Sequence, residues 1–435
     1  MRPAEAVGGE LSVPGDKSIS HRALLLSAIA DGSSTIRGFL QSEDCLATLR
    51  ALQAMGVEVA TQGTELRVSG VGPGGLRGPS APLDLGNSGT AIRLLAGVLA
   101  AQSFDSVLTG DESLRRRPME RVAAPLRAMG AVIETREGRA PLAISGGRAL
   151  TGIDYTLPVA SAQLKSALLL AGLWATGRTI VRSPGPSRDH TERMLESMGV
   201  VVEQGPGHVV SLAGGAQLEA RDLEVPGDFS SAAFFLVAGL LGASDGLLIR
   251  NVGINPTRTG LLTILREMGG RIELRDRRDC GAEPVADLFV VRSPLSGIEV
   301  SPALVPLAID EFPALFVAAA AARGRTVVSG ADELRYKESD RIGVMAEGLR
   351  ALGVTVAESH DGLTIDGGAL GGGRIDSHGD HRVAMAFAIA SLVADAPLEI
   401  LRTDEVATSF PEFPSVAASI GLQIEQSARG DSRDG

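Results

Sequence analysis

The chain has 435 residues, of which 44% are hydrophobic and 54 are glycine, a composition typical of a soluble α/β protein of two to three domains. Its net charge of −11 and its 3% of aromatic residues argue against general binding to nucleic acid or to an acidic membrane surface. The two cysteines, Cys45 and Cys280, lack metal-site spacing and predict a reducing compartment without disulfide bonds. Because no long apolar segment occurs, at the N-terminus or elsewhere, we expect a cytoplasmic protein.

A short pattern recurs six times along the chain: an apolar helix end, then Met-Gly or a close relative, then a β-branched run. Successive pairs lie 68 to 84 residues apart, which predicts a regular array of similar units. Each glycine is expected to end a helix with a positive φ angle, and one strand, or two joined by a turn, should follow it. The pairs are Met55-Gly56, Met129-Gly130, Met198-Gly199, Met268-Gly269, Leu352-Gly353 and Ile420-Gly421.

A larger repeat divides the chain into two halves. The tetrapeptide Val-Pro-Gly-Asp at residues 13–16 returns 212 residues later at 225–228, and an apolar helix is predicted after each copy. We therefore expect two similar domains of three units each. The halves are unequal, because Phe229 stands where the first copy has Lys17. Such asymmetry favours one functional site shared between the halves over a pure scaffold.

Five segments place basic or small polar residues directly before an apolar helix. A helix N-terminus offers free N–H groups and a partial positive charge, so each segment is a potential phosphate or carboxylate site. Any one of them can equally be an ordinary N-cap. Five together favour an anion-binding cleft, and we expect its basic groups to repel one another until an anion lies between them. The segments are residues 17–22, 85–90, 161–163, 187–190 and 337–341.

Lysine is scarce: only Lys17, Lys165 and Lys337 occur among 41 basic side chains. An ammonium is compact and its pKa can be moved by its surroundings, whereas arginine stays protonated. The surviving lysines are therefore candidates for roles that a guanidinium cannot fill. Codon bias is the competing explanation, and for Lys165 no direct ligand contact is predicted.

Three further features carry less weight. The arginine run at residues 115–117 lies in a loop framed by glycine and proline, and either a solvated charge run or an anion clamp is consistent with it. His378 and His381 flank Asp380, but no further metal ligands lie nearby in sequence, so we expect no metal. The acids at 310–311 interrupt an apolar stretch, which suggests either a site carboxylate or a capped helix start.

Taken together, these segments resemble the 5-enolpyruvylshikimate-3-phosphate synthase family over essentially the whole chain. Each motif alone is weak, whereas their joint order and spacing are specific. The motifs are residues 14–22, 85–90 with Arg93, 117–119, 161–163, 310–311, 337–341 and 379–382.

The resemblance implies an α/β fold, a two-lobed inside-out α/β barrel built from six βαβαββ repeats, three per lobe. One lobe would comprise residues 1–13 plus 227–425 and carry phosphoenolpyruvate-binding and catalytic acid residues. The other, residues 14–226, would bind shikimate 3-phosphate. The polar tail 426–435 is predicted to be disordered.

The implied reaction transfers the enolpyruvyl group of phosphoenolpyruvate to the 5-hydroxyl of shikimate 3-phosphate. Phosphate leaves through a tetrahedral intermediate, without metal or cofactor, and the enzyme is expected to be a monomer. The implied catalytic residues are Lys17, Asp310 and Glu338. The implied shikimate 3-phosphate site is Lys17, Ser18, Arg22, Ser161, Ala162, Gln163, Arg188, Asp310 and Lys337. The implied phosphoenolpyruvate site is Lys17, Gly89, Arg117, Gln163, Arg341 and Arg382.

One position departs from the family pattern. Many members carry a lysine where this chain has Thr408, so one phosphoenolpyruvate contact is missing or replaced. This difference and the segments 161–163 and 188–192 resemble a bacterial subgroup that includes glyphosate-insensitive enzymes. Gly89 nevertheless remains where a known insensitive pattern has alanine.

Two rival functions stay open at this point. A sister enolpyruvyl transferase acts on a UDP-amino sugar, but it typically has a Lys-Asn pair and a reactive loop cysteine. Here Ser18 follows Lys17, and residues 105–119 contain no cysteine. The second rival is a non-catalytic repeat protein that only binds anions.

Overall fold

The computed structural model describes residues 1–2 and 6–425. The tail 426–435, for which we predict disorder, lies outside the described residues. The α-helices are α1 Lys17–Ile29, α2 Glu43–Ala54, α3 Gly89–Leu99, α4 Glu112–Arg116, α5 Glu120–Ala128, α6 Ala162–Gly172, α7 His190–Ser197, α8 Phe229–Gly242, α9 Gly260–Glu267, α10 Val305–Ala308, α11 Phe312–Ala321, α12 Arg341–Ala351, α13 His381–Ala390 and α14 Phe413–Ser419. Short 3-10 helices span Pro302–Leu304, Asp332–Tyr336 and Asp404–Thr408.

The strands are short, and groups of one to three strands alternate with the helices. They are β1 Gly9–Ser12, β2 Asp31–Arg37, β3 Glu58–Gln62, β4 Glu65–Val71, β5 Leu83–Asp84, β6 Ser106–Thr109, β7 Val132–Arg136, β8 Arg139–Ser145, β9 Asp154–Thr156, β10 Arg178–Arg182, β11 Val202–Gly205, β12 Val209–Ala213, β13 Leu223–Glu224, β14 Leu247–Gly253, β15 Arg271–Cys280, β16 Glu283–Val291, β17 Gly324–Val328, β18 Thr355–Ser359, β19 Gly362–Gly367, β20 Gly373–Asp376 and β21 Leu398–Leu401. Among the residues described, no helix is both long and apolar enough to cross a membrane.

The strands form six small sheets, and four of these share one arrangement. In each, a parallel pair is followed by two antiparallel pairings, in the orders β13-β2-β4-β3, β5-β6-β8-β7, β9-β10-β12-β11 and β1-β14-β16-β15. The fifth sheet, β17-β19-β18, is antiparallel, and the sixth is the parallel pair β20-β21. The fold is therefore mixed α/β with recurring sheets.

The six glycines of the short repeat end helices as predicted. Each follows a helix C-terminus, and their φ angles lie between 83° and 110°. A side chain would be strained there, which explains why glycine recurs. Strands follow the first five glycines. The sixth predicted strand, residues 422–424, is only an isolated bridge between Arg2 and Gln423, so that prediction was wrong.

Buried apolar side chains form two separate clusters. One contains residues between Ile19 and Val225. The other contains Val7, Leu11, Val13 and residues between Phe229 and Leu422. The chain thus passes between the clusters at the two copies of Val-Pro-Gly-Asp.

The two copies lie side by side. The Asp16 N–H donates to the Pro226 carbonyl and the Asp228 N–H to the Pro14 carbonyl, each over 2.8 Å. A Cβ on Gly15 would lie 1.9 Å from the Gly38 carbonyl oxygen, so this close approach requires glycine. Each aspartate also caps the helix that follows, α1 or α8. The duplication therefore encodes a paired junction between the two halves.

Candidate active site

A cavity of about 300 Å³ lies between the two halves and contains nearly all of the predicted site residues. It is lined by residues that precede or begin helices α1, α3, α6 and α13, and by loops before α7 and α12. Of the predicted set, only Arg341 does not contribute to the lining. The predicted residues in the lining are Lys17, Ser18, Arg22, Gly89, Arg117, Ser161, Ala162, Gln163, Arg188, Asp310, Lys337, Glu338 and Arg382.

Lys17 begins α1 and is paired with a carboxylate. Its Nζ lies 2.9 Å from Oδ2 of Asp44 at the start of α2. Burial acts to lower the pKa of Lys17, but attraction to Asp44 and Glu338 outweighs it and raises the pKa. Lys17 is therefore held protonated in this arrangement, as a proton donor must be.

Arg22 is buried one turn further along α1 and is fixed by three acceptors. Its guanidinium donates to the Ser18 carbonyl (2.9 Å) and to the hydroxyls of Ser166 (2.9 Å) and Thr191 (2.7 Å). Burial lowers the pKa of Arg22 to about 10. The guanidinium still carries its charge near neutral pH, so it supplies a fixed positive wall.

Two more arginines lie close to the backbone at the start of α3. Arg93 donates to the Gly89 carbonyl (2.9 Å) and to Oε1 of Gln163 (2.8 Å). A Cβ on Gly89 would lie 2.8 Å from Nη1 of Arg93 and 3.0 Å from Nη1 of Arg117. Only a residue without a side chain leaves both guanidinium groups in place.

Asp310 joins the basic loops of both halves. Arg188, from the first half, donates to its Oδ2, and the Nζ of Lys337 lies 3.5 Å from its Oδ1. Burial acts to raise the pKa of Asp310, but Lys337, Arg188, Arg382 and Arg341 together hold it well below its usual value. Asp310 is therefore an ionised carboxylate that can accept a proton.

Glu338 and Arg341 form a second acid–base pair at the start of α12. The guanidinium of Arg341 is fully buried, 2.5 Å from Oε2 of Glu338 and 2.8 Å from Oδ2 of Asp380. Arg117, from the other half, lies 3.7 Å from Oε1 of Glu338. Burial raises the pKa of Glu338, but Arg341 and Arg117 outweigh it and hold the pKa well below its usual range.

Arg382 and Thr408 differ in their relation to the cavity. Arg382 lines the cavity, and within the described chain its guanidinium has no hydrogen-bond or ion-pair partner. Thr408 does not line the cavity, and its hydroxyl donates to the Glu405 carbonyl over 2.6 Å. The Arg382 guanidinium therefore faces the cavity from α13 without such a partner, whereas the Thr408 side chain does not line the cavity.

Sequence reasoning missed several acids that line the cavity. Asp44 pairs with Lys17, and Glu333 lies 3.0 Å from Arg121 of the other half. Acids at a helix start are ordinary in sequence, so no signal distinguished them. The expectation that the basic loops repel one another is wrong for this state, because carboxylates separate the cations and bridge the halves.

Metal ligands do not cluster in the described residues: no group of three or more His, Cys, Asp or Glu side chains is arranged to hold an ion. Of the pair singled out in the sequence, His381 is buried, and burial holds its pKa well below the usual value. His378 is more exposed and lies 3.5 Å from Glu347.

Comparison with known proteins identifies the family. The sequence model of EPSP synthase, or 3-phosphoshikimate 1-carboxyvinyltransferase, matches residues 1–416. The chain belongs to the EPSP synthase family. Proteins named 3-phosphoshikimate 1-carboxyvinyltransferase from Acidithiobacillus ferrooxidans and Methylococcus capsulatus are 58% and 56% identical to it, with 98% of each chain covered.

The structural likeness covers both halves of the molecule. A solved structure of EPSP synthase from Acinetobacter baumannii superposes with a TM-score of 0.88 at 49% identity, covering 98% of each chain. The family predicted from the sequence motifs is therefore confirmed, and the cavity lies within the region shared with EPSP synthase structures.

Proposed function

We propose that this protein transfers the enolpyruvyl group of phosphoenolpyruvate to the 5-hydroxyl of shikimate 3-phosphate and releases phosphate. This is the step of the shikimate pathway that leads to chorismate and the aromatic amino acids. The observation that carries this function is one cavity in which cations for two anionic substrates surround two ionised acids. Both substrates carry phosphate and carboxylate groups, which explains a basic cavity in a protein of net charge −11.

We assign the phosphate of shikimate 3-phosphate to the N-terminus of α6. Ser161, the backbone of Ala162, Arg188 and Lys337 would hold it, with Lys17, Ser18, Arg22, Gln163 and Asp310 around the ring. Helix N-termini and guanidinium groups are suited to phosphate. Arg188 and Lys337 now share Asp310, so a phosphate that binds both cations weakens their hold on that carboxylate. Asp310 then becomes a better base for the 5-hydroxyl proton.

We assign phosphoenolpyruvate to the neighbouring part of the cavity. Its contacts would be Lys17, Gly89, Arg117, Gln163, Arg341 and Arg382. Arg382 supports this choice because its guanidinium is unpaired within the described chain. Arg341 is already paired with Asp380 and Glu338, so direct contact would require an ion pair to open.

The proton steps follow from these charges. Asp310 accepts the 5-hydroxyl proton while the oxygen attacks C2 of phosphoenolpyruvate and C3 gains a proton, giving a tetrahedral intermediate. Loss of a proton from C3 and departure of phosphate then restore the double bond. Lys17, held protonated, donates toward the bridging oxygen. Glu338 is ionised, so it must take up a proton before it can deliver one to C3, and it removes the C3 proton again in the elimination step.

The finer architecture belongs to the same proposal. We assign residues 1–13 plus 227–425 to one lobe and 14–226 to the other, in a two-lobed inside-out barrel of six units. Two separate apolar clusters and the paired junction support this division. We also propose a cytoplasmic monomer that needs no metal or cofactor and does not bind nucleic acid.

The decisive test is a phosphate-release assay. We expect release from phosphoenolpyruvate only when shikimate 3-phosphate is present, with chelator and without added metal. Release with a UDP-amino sugar instead would assign the sister reaction. Loss of activity on chelation would contradict the metal-free mechanism, and absence of any release would leave an anion-binding protein.

A further inference from the structure

Lys165 is buried behind the cavity wall and forms an ion pair with a buried acid. It lies on α6, in the turn after the Ser161 cap, with its side chain 7% exposed. Its Nζ lies 2.5 Å from Oε1 of Glu192 on α7, whose side chain is 4% exposed. An unpaired charge would be costly at either position, so each side chain requires the other.

The same ammonium also holds the loop that leads to Arg188. Nζ of Lys165 donates to the Ser187 carbonyl over 3.4 Å. Residues 183–189 join β10 to α7, and Pro186, Ser187 and Arg188 line the cavity. In the described chain, no backbone–backbone hydrogen bond ties residues 184–188 to another segment. Two side chains donate to carbonyls of this loop in the described chain: the Ser183 hydroxyl to Gly185 over 2.7 Å, and Lys165 to Ser187, next to Arg188.

Arg188 directly follows Ser187 in the chain. Its guanidinium reaches 3.5 Å to the Ser18 hydroxyl and pairs with Asp310 across the cavity. A compact ammonium with three donors can serve Glu192 and the Ser187 carbonyl in one small space, which a planar guanidinium does less readily. This accounts for a lysine in a chain where 38 of 41 basic residues are arginine.

We propose that Lys165 is a positioning residue: by holding the Ser187 carbonyl, it fixes Arg188 where it binds the phosphate of shikimate 3-phosphate. This inference rests on the proposed function. Glu192 compensates the charge, whereas Lys165 supplies the contact with the loop.

Three variants separate positioning from simple stability. Lys165→Met removes the charge and the loop contact. Glu192→Gln keeps a lysine partner and the loop contact. The double variant Lys165→Met/Glu192→Met removes both charges, and replacement of a whole buried pair by apolar side chains is often close to neutral in stability. The readouts are melting temperature, calorimetric affinity for shikimate 3-phosphate, and KM for each substrate.

We expect the double variant to melt near the wild-type temperature but to bind shikimate 3-phosphate about tenfold more weakly, the effect of losing one charge-assisted hydrogen bond. Its KM for phosphoenolpyruvate should stay within about twofold. Glu192→Gln leaves the Lys165 charge uncompensated, so it should melt at a lower temperature, but the folded variant should still bind shikimate 3-phosphate almost normally. If Lys165→Met does not fold, the double variant alone decides.

Wild-type affinity in a folded Lys165→Met or double variant would overturn the positioning role and leave the pair a structural one. A wild-type protein that does not bind shikimate 3-phosphate would instead overturn the proposed function. The two failures are therefore distinguishable.

Discussion

At the scale of single residues, the cavity is dominated by ionised groups whose charges are fixed by their partners. Lys17 is protonated beside Asp44, while Asp310 and Glu338 are ionised among cations. Lys17 and Asp310 therefore start in the state that their proposed steps require, whereas Glu338 must gain a proton before it can protonate C3. Substrate anions then compete for the cations, which changes the basicity of the acids only when substrate is bound.

Lys17→Arg tests this assignment. We expect the variant to fold but to lose at least about 100-fold in kcat, because a guanidinium keeps its proton and does not act as a general acid. Steady-state phosphate release measures the loss, and circular dichroism checks the fold. The control is Arg374→Lys, a charge-conserving change at an exposed position. Near-wild-type activity in Lys17→Arg would refute the proton-transfer role.

At the scale of elements, His21 connects three helices. Its Nδ1 lies 2.8 Å from the Thr48 hydroxyl of α2, and its Nε2 lies 3.4 Å from the Ser88 hydroxyl that caps α3. Burial, with the nearby charges of Lys17 and Arg22, lowers the pKa of His21 to about 3. The imidazole is therefore neutral in the folded protein at any working pH.

The pKa of His21 is lower in the folded chain than in the unfolded chain, so the stability of the protein depends on pH. Below a pH of about 6.5 the unfolded chain binds a proton at His21 that the folded chain does not, so stability falls as pH falls. Between about pH 7.5 and about pH 5.5 this one group contributes a loss of about 1.4 kcal/mol in unfolding free energy.

Urea unfolding of His21→Gln at both pH values checks this contribution. Over that pH interval the unfolding free energy of the variant should fall by about 1.4 kcal/mol less than that of the wild type. The other titrating groups contribute equally to both proteins. His208→Gln is the control, since that side chain is exposed. Equal pH dependence in wild type and His21→Gln would contradict the prediction.

Arg258 joins the two helix caps at the junction between the halves. It is buried, pairs with Asp16, and lies 3.1 Å from Oδ1 of Asp228 and 3.8 Å from Oε1 of Glu311. Asp16 and Asp228 cap α1 and α8, so one guanidinium holds the starts of two long apolar helices. The close approach of the two chain crossings depends on this charge.

Arg258→Met should therefore destabilise the protein by about 3–5 kcal/mol, since three acids would remain buried without their cation. Denaturant unfolding monitored by circular dichroism measures the change. Arg325→Met is the matched control: it removes an exposed pair with Asp366 and should cost less than about 1 kcal/mol. A similar small effect for both variants would show that the junction does not need the charge.

At the scale of the whole molecule, ion pairs bridge the cavity between the halves. Arg188 pairs with Asp310, Arg121 with Glu333, and Arg117 approaches Glu338. Such partly exposed pairs contribute little individually and are screened by salt. A substrate that binds cations from both halves favours the closed arrangement more strongly, since it acts by its differential affinity for the two states.

Small-angle scattering tests closure. We expect a smaller radius of gyration with shikimate 3-phosphate than without it, and a larger difference at high salt. Glu333→Gln should increase the ligand-dependent change, because it weakens the Arg121 bridge without removing a proposed substrate contact. An unchanged radius at saturating ligand and at both salt concentrations would mean that the halves are fixed around a preformed site.

Much of the fold and of the candidate site could be predicted from local patterns in the chain. Six glycines after helix ends, a duplicated Val-Pro-Gly-Asp and five polar helix starts are short-range features, because turn geometry and capping depend on neighbouring residues. These features predicted the helix–strand order. Together with the motif resemblance they indicated the family and 13 of the residues that line the cavity. The wrong prediction at residues 422–424 is not local in origin: an apolar run forms a strand only where the fold supplies a partner strand, and here Gln423 makes only a single bridge to Arg2.

The pairing of charges was decided by the tertiary structure. Asp44 with Lys17, Glu333 with Arg121 and Glu192 with Lys165 each involve acids whose sequence context is ordinary. Arg258 meets Asp16 across 242 positions of chain, a contact that no periodicity encodes. Ion pairing and burial depend on which helices the fold brings together. The charge states of the groups in the cavity are therefore determined by the tertiary structure of both halves and not by the local sequence.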